Sequence, residues 1–157
     1  MLKHLAAGVA AGAVGTMALD ITTYIDMAAQ GRKPSDVPAQ VVEKLAANAG
    51  VSQLSTPDDQ ADEKTKNRRS SIGSLLGYGV GLSIGGVYGL LRPRMRFIPV
   101  PLFGIALGAA AMAASDVPAT KLQVTDPSTW SKSAWMSDIV PHVVYGVVTA
   151  IAFESFA

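Results

Sequence analysis

Long runs of apolar residues, separated by polar stretches, set the pattern of this chain. Four of the runs are long enough to cross a bilayer as helices, since about 20 mostly apolar residues span its hydrocarbon core. They cover residues 5–29, 70–91, 97–115 and 138–155. Asp20 and Asp26 interrupt the first run, whereas the two middle runs are uncharged. The pattern predicts an all-α membrane protein, in which a four-transmembrane-helix bundle forms a single domain over residues 1–157.

The polar stretch between the first two runs, residues 30–69, holds most of the charged residues. Within it, Ser35 or Asp36 followed by Pro38 is typical of a helix start, and apolar residues then recur on one side of the predicted helix. This spacing predicts a surface amphipathic helix in the first loop.

A second helix start is predicted later in the same stretch. Thr56 would be the cap and Pro57 the first helical residue, with acidic residues early and basic residues late, as the helix dipole favours. The helix would then run directly into the second membrane helix. A solvated linker is the alternative.

Glycine recurs at every fourth position of the second apolar run. In water so many glycines weaken a helix, but in lipid small residues let two helices approach and gain van der Waals contact. The glycines predicted to pack helices together are Gly73, Gly77, Gly81, Gly85 and Gly89 in the second run, Gly8 and Gly12 in the first, and Gly104 and Gly108 in the third. We interpret them as contacts inside one bundle. A glycine zipper that forms a homo-oligomer is the alternative.

Two short sequences occur twice along the chain. The sequence SDVPA is found at residues 35–39 and again at 115–119, and YGV begins at Tyr78 and at Tyr145. A duplicated helical hairpin would explain both repeats. Chance is the alternative, because the chain is rich in Ala, Val and Ser.

Composition removes several classes of function. Of the 157 residues 49% are hydrophobic, and the formal net charge is only +1, so no basic surface for nucleic acid is expected. The chain has no cysteine, which excludes disulfides and thiolate chemistry. No metalloprotease, serine hydrolase or phosphate-loop motif occurs. We therefore predict a non-enzymatic protein without a cofactor, whose main partner is the lipid bilayer.

Four crossings would gather the polar residues of the helices near one membrane face. At 1.5 Å per residue, Asp20 lies near the far end of the first helix, where the polar residues of the last helix begin. The predicted cluster consists of Asp20, Asp116, Asp138, His142 and Tyr145. Charged side chains exposed to lipid are costly, so these are expected to face each other or a water-filled cavity. The contact that we predict is between Asp20 and His142.

Three interpretations of this cluster stay open. In the first, Asp116 and Asp138 are helix caps, and Asp20 and His142 only join two helices by a hydrogen bond. In the second, the cluster is a proton-responsive pocket in which His142 titrates near neutral pH. In the third, the single histidine and the carboxylates hold a divalent metal. His4 lies at the opposite face, so the two histidines cannot ligate one haem.

The residues around the last apolar run resemble a known family. Trp130 and Trp135 stand where aromatic side chains anchor helices at lipid headgroups. Together with Ser-Asp-Ile at 137–139 and His-Val-Val at 142–144, they resemble the last membrane helix of the YagU-like family of small bacterial inner-membrane proteins. In that family an acidic residue precedes a histidine by four positions.

The resemblance implies a multi-pass protein of the bacterial plasma (inner) membrane that is associated with acid resistance. It also implies a role for Asp138 and His142 and a cytoplasmic C-terminus, although the distribution of Lys and Arg among the loops favours the opposite orientation. We therefore predict a protein whose buried Asp/His cluster senses or relays protons. The alternative is an accessory or assembly subunit that docks on a larger membrane complex through its glycine-rich helix faces.

Overall fold

The computed structural model describes all 157 residues and contains helices but no strands. The helices are α1 (Leu2–Gln30), α2 (Val37–Asn48), α3 (Ser52–Ser55), α4 (Glu63–Leu91), α5 (Val100–Lys121) and α6 (Lys132–Phe156). Short 3-10 turns occupy Arg92–Arg94 and Pro127–Thr129. Helices α1, α4, α5 and α6 are long and apolar enough to cross a membrane. The prediction of an all-helical chain with four candidate spans is confirmed, which indicates a multi-pass membrane protein.

The long helices extend beyond the apolar runs. Helix α5 continues to Lys121, and α6 begins at Lys132, where the Ser131 hydroxyl oxygen accepts a hydrogen bond from the Ala134 N–H at 3.1 Å. Asp116 and Asp138 therefore lie inside helices, and the interpretation of these two residues as helix caps is wrong. Hydropathy marks where a helix can be in lipid, whereas capping groups decide where it ends.

The start of α4 also differs from the prediction. Thr56 does not cap a helix; instead Asp62 does, because its Oδ1 accepts a hydrogen bond from the Thr65 N–H at 2.8 Å. Residues 57–62 are not helical. Glu63 then places a negative charge in the first turn, where the helix dipole favours it.

The four long helices form a ring in the order α4, α1, α6, α5. Helix α1 packs along both α4 and α6, and α5 packs along α6. Helices α4 and α5 contact each other less, near the short connection that joins them, where the rings of Tyr88 and Phe103 meet edge to face with centroids 4.9 Å apart. The ring is therefore tight at the end with this connection and looser at the other.

Glycines bring α1 and α4 into backbone contact. A Cβ atom added to Gly85 would lie 2.5 Å from the Gly8 carbonyl oxygen and 2.6 Å from the Gly12 Cα. A Cβ on Gly12 would lie 2.6 Å from the carbonyl oxygen of Gly81, and Gly89 contacts Gly8 in the same way. No larger residue fits at these positions unless the helices separate.

The α5–α6 contact uses the same device. A Cβ on Gly104 would lie 2.8 Å from the Val147 Cα, and one on Gly108 would lie 3.0 Å from the carbonyl carbon of His142. Gly146, which the sequence analysis did not single out, lies opposite both glycines on α6. The glycines that contact Gly146 belong to α5, so α6 has no glycine repeat that would predict a packing role for Gly146.

Two glycines of α4 depart from the prediction. Gly77 has no atom within 4 Å of an added Cβ, so it takes no part in helix packing. Gly73 contacts Pro38 of α2 and not a long helix. A row of residues spaced by four drifts about 40° around a helix at each step, because one turn holds 3.6 residues. The row that faces α1 at Gly85 has therefore turned away by Gly77.

Helix α2 lies against α4 with Val42 and Ala46 buried. The helix is present, whereas its position at a membrane surface stays a prediction. The two copies of SDVPA lie in different settings, one at the start of α2 and the other in the last turns of α5. The fold therefore gives the duplicated hairpin no support.

Substitution of Gly85 by Ala should lower the free energy of unfolding, measured by SDS titration in mixed micelles, by about 1–3 kcal/mol, since the added methyl group overpacks the α1–α4 contact. The matched substitution Gly77→Ala should leave it unchanged or raise it by up to about 1 kcal/mol, because alanine is the better helix former. Equal losses at both positions would contradict the close α1–α4 contact.

The cap of α4 should depend on pH. Hydrogen bonds from Thr65 lower the pKa of Asp62 from its ordinary value of 3.8. A lowered pKa stabilises the folded state above 3.8, and this contribution disappears as the pH falls through the lower folded-state pKa. Asp62→Ala should therefore speed amide hydrogen exchange in the first turn of α4 at neutral pH, and much less near pH 2. A difference that persists at low pH would contradict a charged cap.

Candidate functional site

Two adjoining cavities open at the looser end of the ring. The outer cavity, of about 620 Å³, lies between α1, α5, α6 and the residues that follow α1. The inner cavity, of about 480 Å³, lies among all four long helices, and its lining includes the exposed residues Tyr24, Ser74 and Tyr78. Leu19, Pro38, Ser115 and His142 line both cavities, and we call these four residues the neck.

Asp138 and His142 stand one helical turn apart on α6, beside the outer cavity. The Nδ1 atom of His142 lies 2.8 Å from the backbone oxygen of Asp138 and 3.3 Å from its Oδ1. Both side chains are largely buried, with exposed fractions of 14% for His142 and 23% for Asp138. These contacts hold the imidazole against its own helix.

Asp116 of α5 completes this group from across the α5–α6 interface, where its carboxyl group neighbours that of Asp138. The Oδ2 atom of Asp138 is buried and has no hydrogen-bond partner. A carboxylate cannot donate a hydrogen bond to another carboxylate, so only a proton on one of the two would let them bond. We call Asp116, Asp138 and His142 the acid–histidine cluster.

No permanent positive charge compensates this cluster. The only ion pair that involves either carboxylate is the one between Asp138 and His142, which requires a protonated imidazole. Arg32 lines the outer cavity, but its Nε and Nη2 bind Asp26 at 3.0 and 2.8 Å. With a neutral imidazole, the ionised carboxylates would carry an unbalanced negative charge.

The predicted contact between Asp20 and His142 is wrong. Asp20 accepts a hydrogen bond from the Tyr78 hydroxyl on α4, at 2.8 Å, and forms no ion pair. Both residues line the inner cavity, so the predicted depth is consistent with their positions. The position of a residue along the helix axis does not determine its direction around that axis, and the Asp20 side chain points toward α4.

Tyr145 bridges α6 and α4 and does not join the cluster. Its side chain is 1% exposed, and its hydroxyl donates a hydrogen bond to the Gly81 carbonyl oxygen at 2.6 Å. Tyr145 thus forms the floor of the inner cavity. The five predicted site residues therefore separate into the acid–histidine cluster, the Asp20–Tyr78 pair and the Tyr145 bridge.

The predicted cluster did not include several residues that shape the cavities. Tyr78 shares the YGV sequence with Tyr145, which was a signal for its role, but Pro38 and Ser115 carry no such signal. Trp130 lines the outer cavity, and its Nε1 donates a hydrogen bond to Thr125 Oγ1 at 3.0 Å. The sequence does not show that these residues line the cavities, because this depends on how helices distant in sequence pack together.

The metal interpretation gains no support from the arrangement of ligands. No group of three or more His, Asp or Glu side chains is placed to hold a metal ion. Three protein ligands is the usual number even at a metal site that keeps an open position.

Comparisons of the chain with family models, with curated proteins and with solved structures find no match. The resemblance to the YagU-like family therefore stays a prediction.

A double-mutant cycle can test which partner Asp20 uses. The effects of Asp20→Asn and Tyr78→Phe on the free energy of unfolding should be non-additive, because Asp20→Asn weakens the same hydrogen bond that Tyr78→Phe removes. The effects of Asp20→Asn and His142→Gln should add. Coupling between Asp20 and His142, with none to Tyr78, would contradict the observed pairing.

Proposed function

We propose that this chain is a non-enzymatic protein of the bacterial inner membrane that binds protons at the acid–histidine cluster and responds to acid. One observation supports this above all. Two carboxylates and an imidazole meet at the wall of a cavity, with no Lys or Arg side chain to balance them. Ionisable groups inside membrane helices are costly and mark proton or ion sites in many membrane proteins.

Proton binding would change the contact between α5 and α6. When Asp116 and Asp138 are both ionised, they repel each other across this interface. A proton on one carboxyl group removes the repulsion and provides the donor that Asp138 Oδ2 lacks. Protonation of His142 adds an attraction to Asp138. Acid should therefore draw α5 and α6 together at the looser end of the ring.

The geometry favours sensing over relay of protons through the protein. Beyond the floor formed by Tyr145, α1 and α4 meet at glycine backbones, and α5 and α6 do the same. The two cavities that border the cluster lie on one side of this floor. Beyond it the buried hydroxyl groups of Tyr88 and Thr149 have no hydrogen-bond partner, so a relay would need water to connect them to the cluster.

A subunit that docks through its glycine faces has less support. Gly8, Gly12, Gly85 and Gly89 already contact each other inside the bundle, and Gly104 and Gly108 contact α6. A partner would have to use a different surface. The internal use of these glycines favours the proton-binding proposal.

Proton uptake by the purified protein in lipid nanodiscs provides the test. Between about pH 8 and pH 5, where histidine titrates, the wild-type protein should take up protons that are missing in Asp138→Asn and in His142→Gln. The uptake is measured with a soluble pH indicator in unbuffered solution. Each variant should lose up to about one proton per chain.

Asp126→Asn is the matched control for this test. Hydrogen bonds from Ser128 lower the pKa of Asp126 from 3.8, so this exposed carboxylate stays ionised throughout the measured range. Its substitution should leave uptake unchanged. Equal uptake by the wild-type protein and both cluster variants would overturn the proposal.

A further inference from the structure

Helix α2 contributes one wall of the neck. Of the four neck residues, Leu19, Ser115 and His142 come from long helices, whereas Pro38 comes from the first turn of α2. Pro38 is seated directly on the backbone of α4: a Cβ added to Gly73 would lie 2.8 Å from the Pro38 carbonyl oxygen. Pro38 of α2 therefore forms part of the wall that the two cavities share.

One side chain holds α2 and the residues after it in place. Arg69, near the start of α4, is 1% exposed. Its Nη1 donates to Glu43 Oε2 at 3.0 Å, its Nε donates to the Leu54 carbonyl oxygen at 3.0 Å, and its Nη2 donates to the Thr56 carbonyl oxygen. Asp58 adds an ion pair at 3.6 Å. These contacts reach α2, α3 and the loop that follows them.

No other side chain of the long helices makes a hydrogen bond to residues 35–58. Apolar burial within α2 is small, since only Val42 and Ala46 are buried. Glycines in left-handed conformations follow α1 and α2, with φ of 63° at Gly31 and 72° at Gly50. Helix α2 is thus flanked by residues that tolerate backbone rotation, and Arg69 supplies its only side-chain hydrogen bond from a long helix.

We infer that α2 is a movable wall of the neck and that Arg69 is the latch that holds it, so that release of the latch admits water to the inner cavity. The biological purpose of this device, control of access to the acid–histidine cluster, rests on the proposed function. The attachment of α2 by Arg69 does not depend on the proposed function. A segment with few buried apolar contacts and a single polar attachment is the kind that opens before the rest of a protein unfolds.

Cysteine labelling can test the latch, because the chain has no cysteine of its own. Thr16→Cys places a thiol of nearly the same size on the inner cavity, at a position that is 6% exposed. Its reaction with a charged, water-soluble thiol reagent is followed in nanodiscs. Glu43→Gln should raise the rate by up to about tenfold, since a neutral amide in place of the carboxylate weakens the charge-assisted hydrogen bond from Arg69.

A second latch variant and two controls complete the design. Arg69→Lys keeps the charge but cannot make three directed hydrogen bonds, so it should also raise the rate. Glu154→Gln weakens a similar contact at the opposite end of the bundle, where Arg92 Nε lies 2.6 Å from Glu154 Oε1. This substitution should leave the labelling rate of Thr16→Cys unchanged. A reporter at exposed Ser133 should react equally in all backgrounds.

Equal labelling of Thr16→Cys with and without Glu43→Gln and Arg69→Lys would overturn the inference. If hydrogen exchange showed α2 loosened in these variants while labelling stayed unchanged, the neck would not be the passage, and the inference would also fail. Neither result depends on proton uptake. Failure of the proposed function would instead appear as undiminished uptake in Asp138→Asn, whatever the labelling rates.

Discussion

The fold depends on the close approach of helix backbones at glycine residues. Lipid tails are as apolar as the helix surfaces, so no hydrophobic force drives the helices together, and association relies on van der Waals contact. Gly8 and Gly12 against Gly85 supply that contact between α1 and α4, and Gly104 and Gly108 against Gly146 supply it between α5 and α6. Helix α1 joins the two pairs by packing on α6 as well.

The same constraint explains why the cavities lie at one end. Where glycines face each other the backbones touch, but toward the other end large or polar side chains such as Tyr78, His142 and Tyr145 stand between the helices. The helices separate there, and the space between them can hold water. Charged groups that would be costly in lipid occupy this space. Helix α2, fixed by Arg69, then covers the gap between α4 and α5.

Sequence predicted the elements well and their relations only in part. Length and hydropathy were sufficient for the four candidate spans, and the i, i+4 spacing placed Asp138 beside His142 because both lie on one helix. The partner of Asp20 and the lack of packing contacts at Gly77 depended on the direction in which each residue points around its helix axis. Hydropathy does not contain this information. Arg69 is buried because it binds the carboxylate of Glu43 and the carbonyl oxygens of Leu54 and Thr56, which lie between α1 and α4. The sequence gives no sign of this burial, because Arg69 is a charged residue in a polar stretch.

We infer that one end of the bundle is open to water and that the other is closed by helix contact. Single cysteines along α6, at positions 137, 142, 149 and 153, can test it with a water-soluble thiol reagent in lipid nanodiscs. We expect reaction at 137 and 142, beside the cavities, and none at 149 and 153, where the cysteines replace the buried Thr149 and Phe153 below the floor. Comparable reaction at all four positions would show a continuous water path and contradict it.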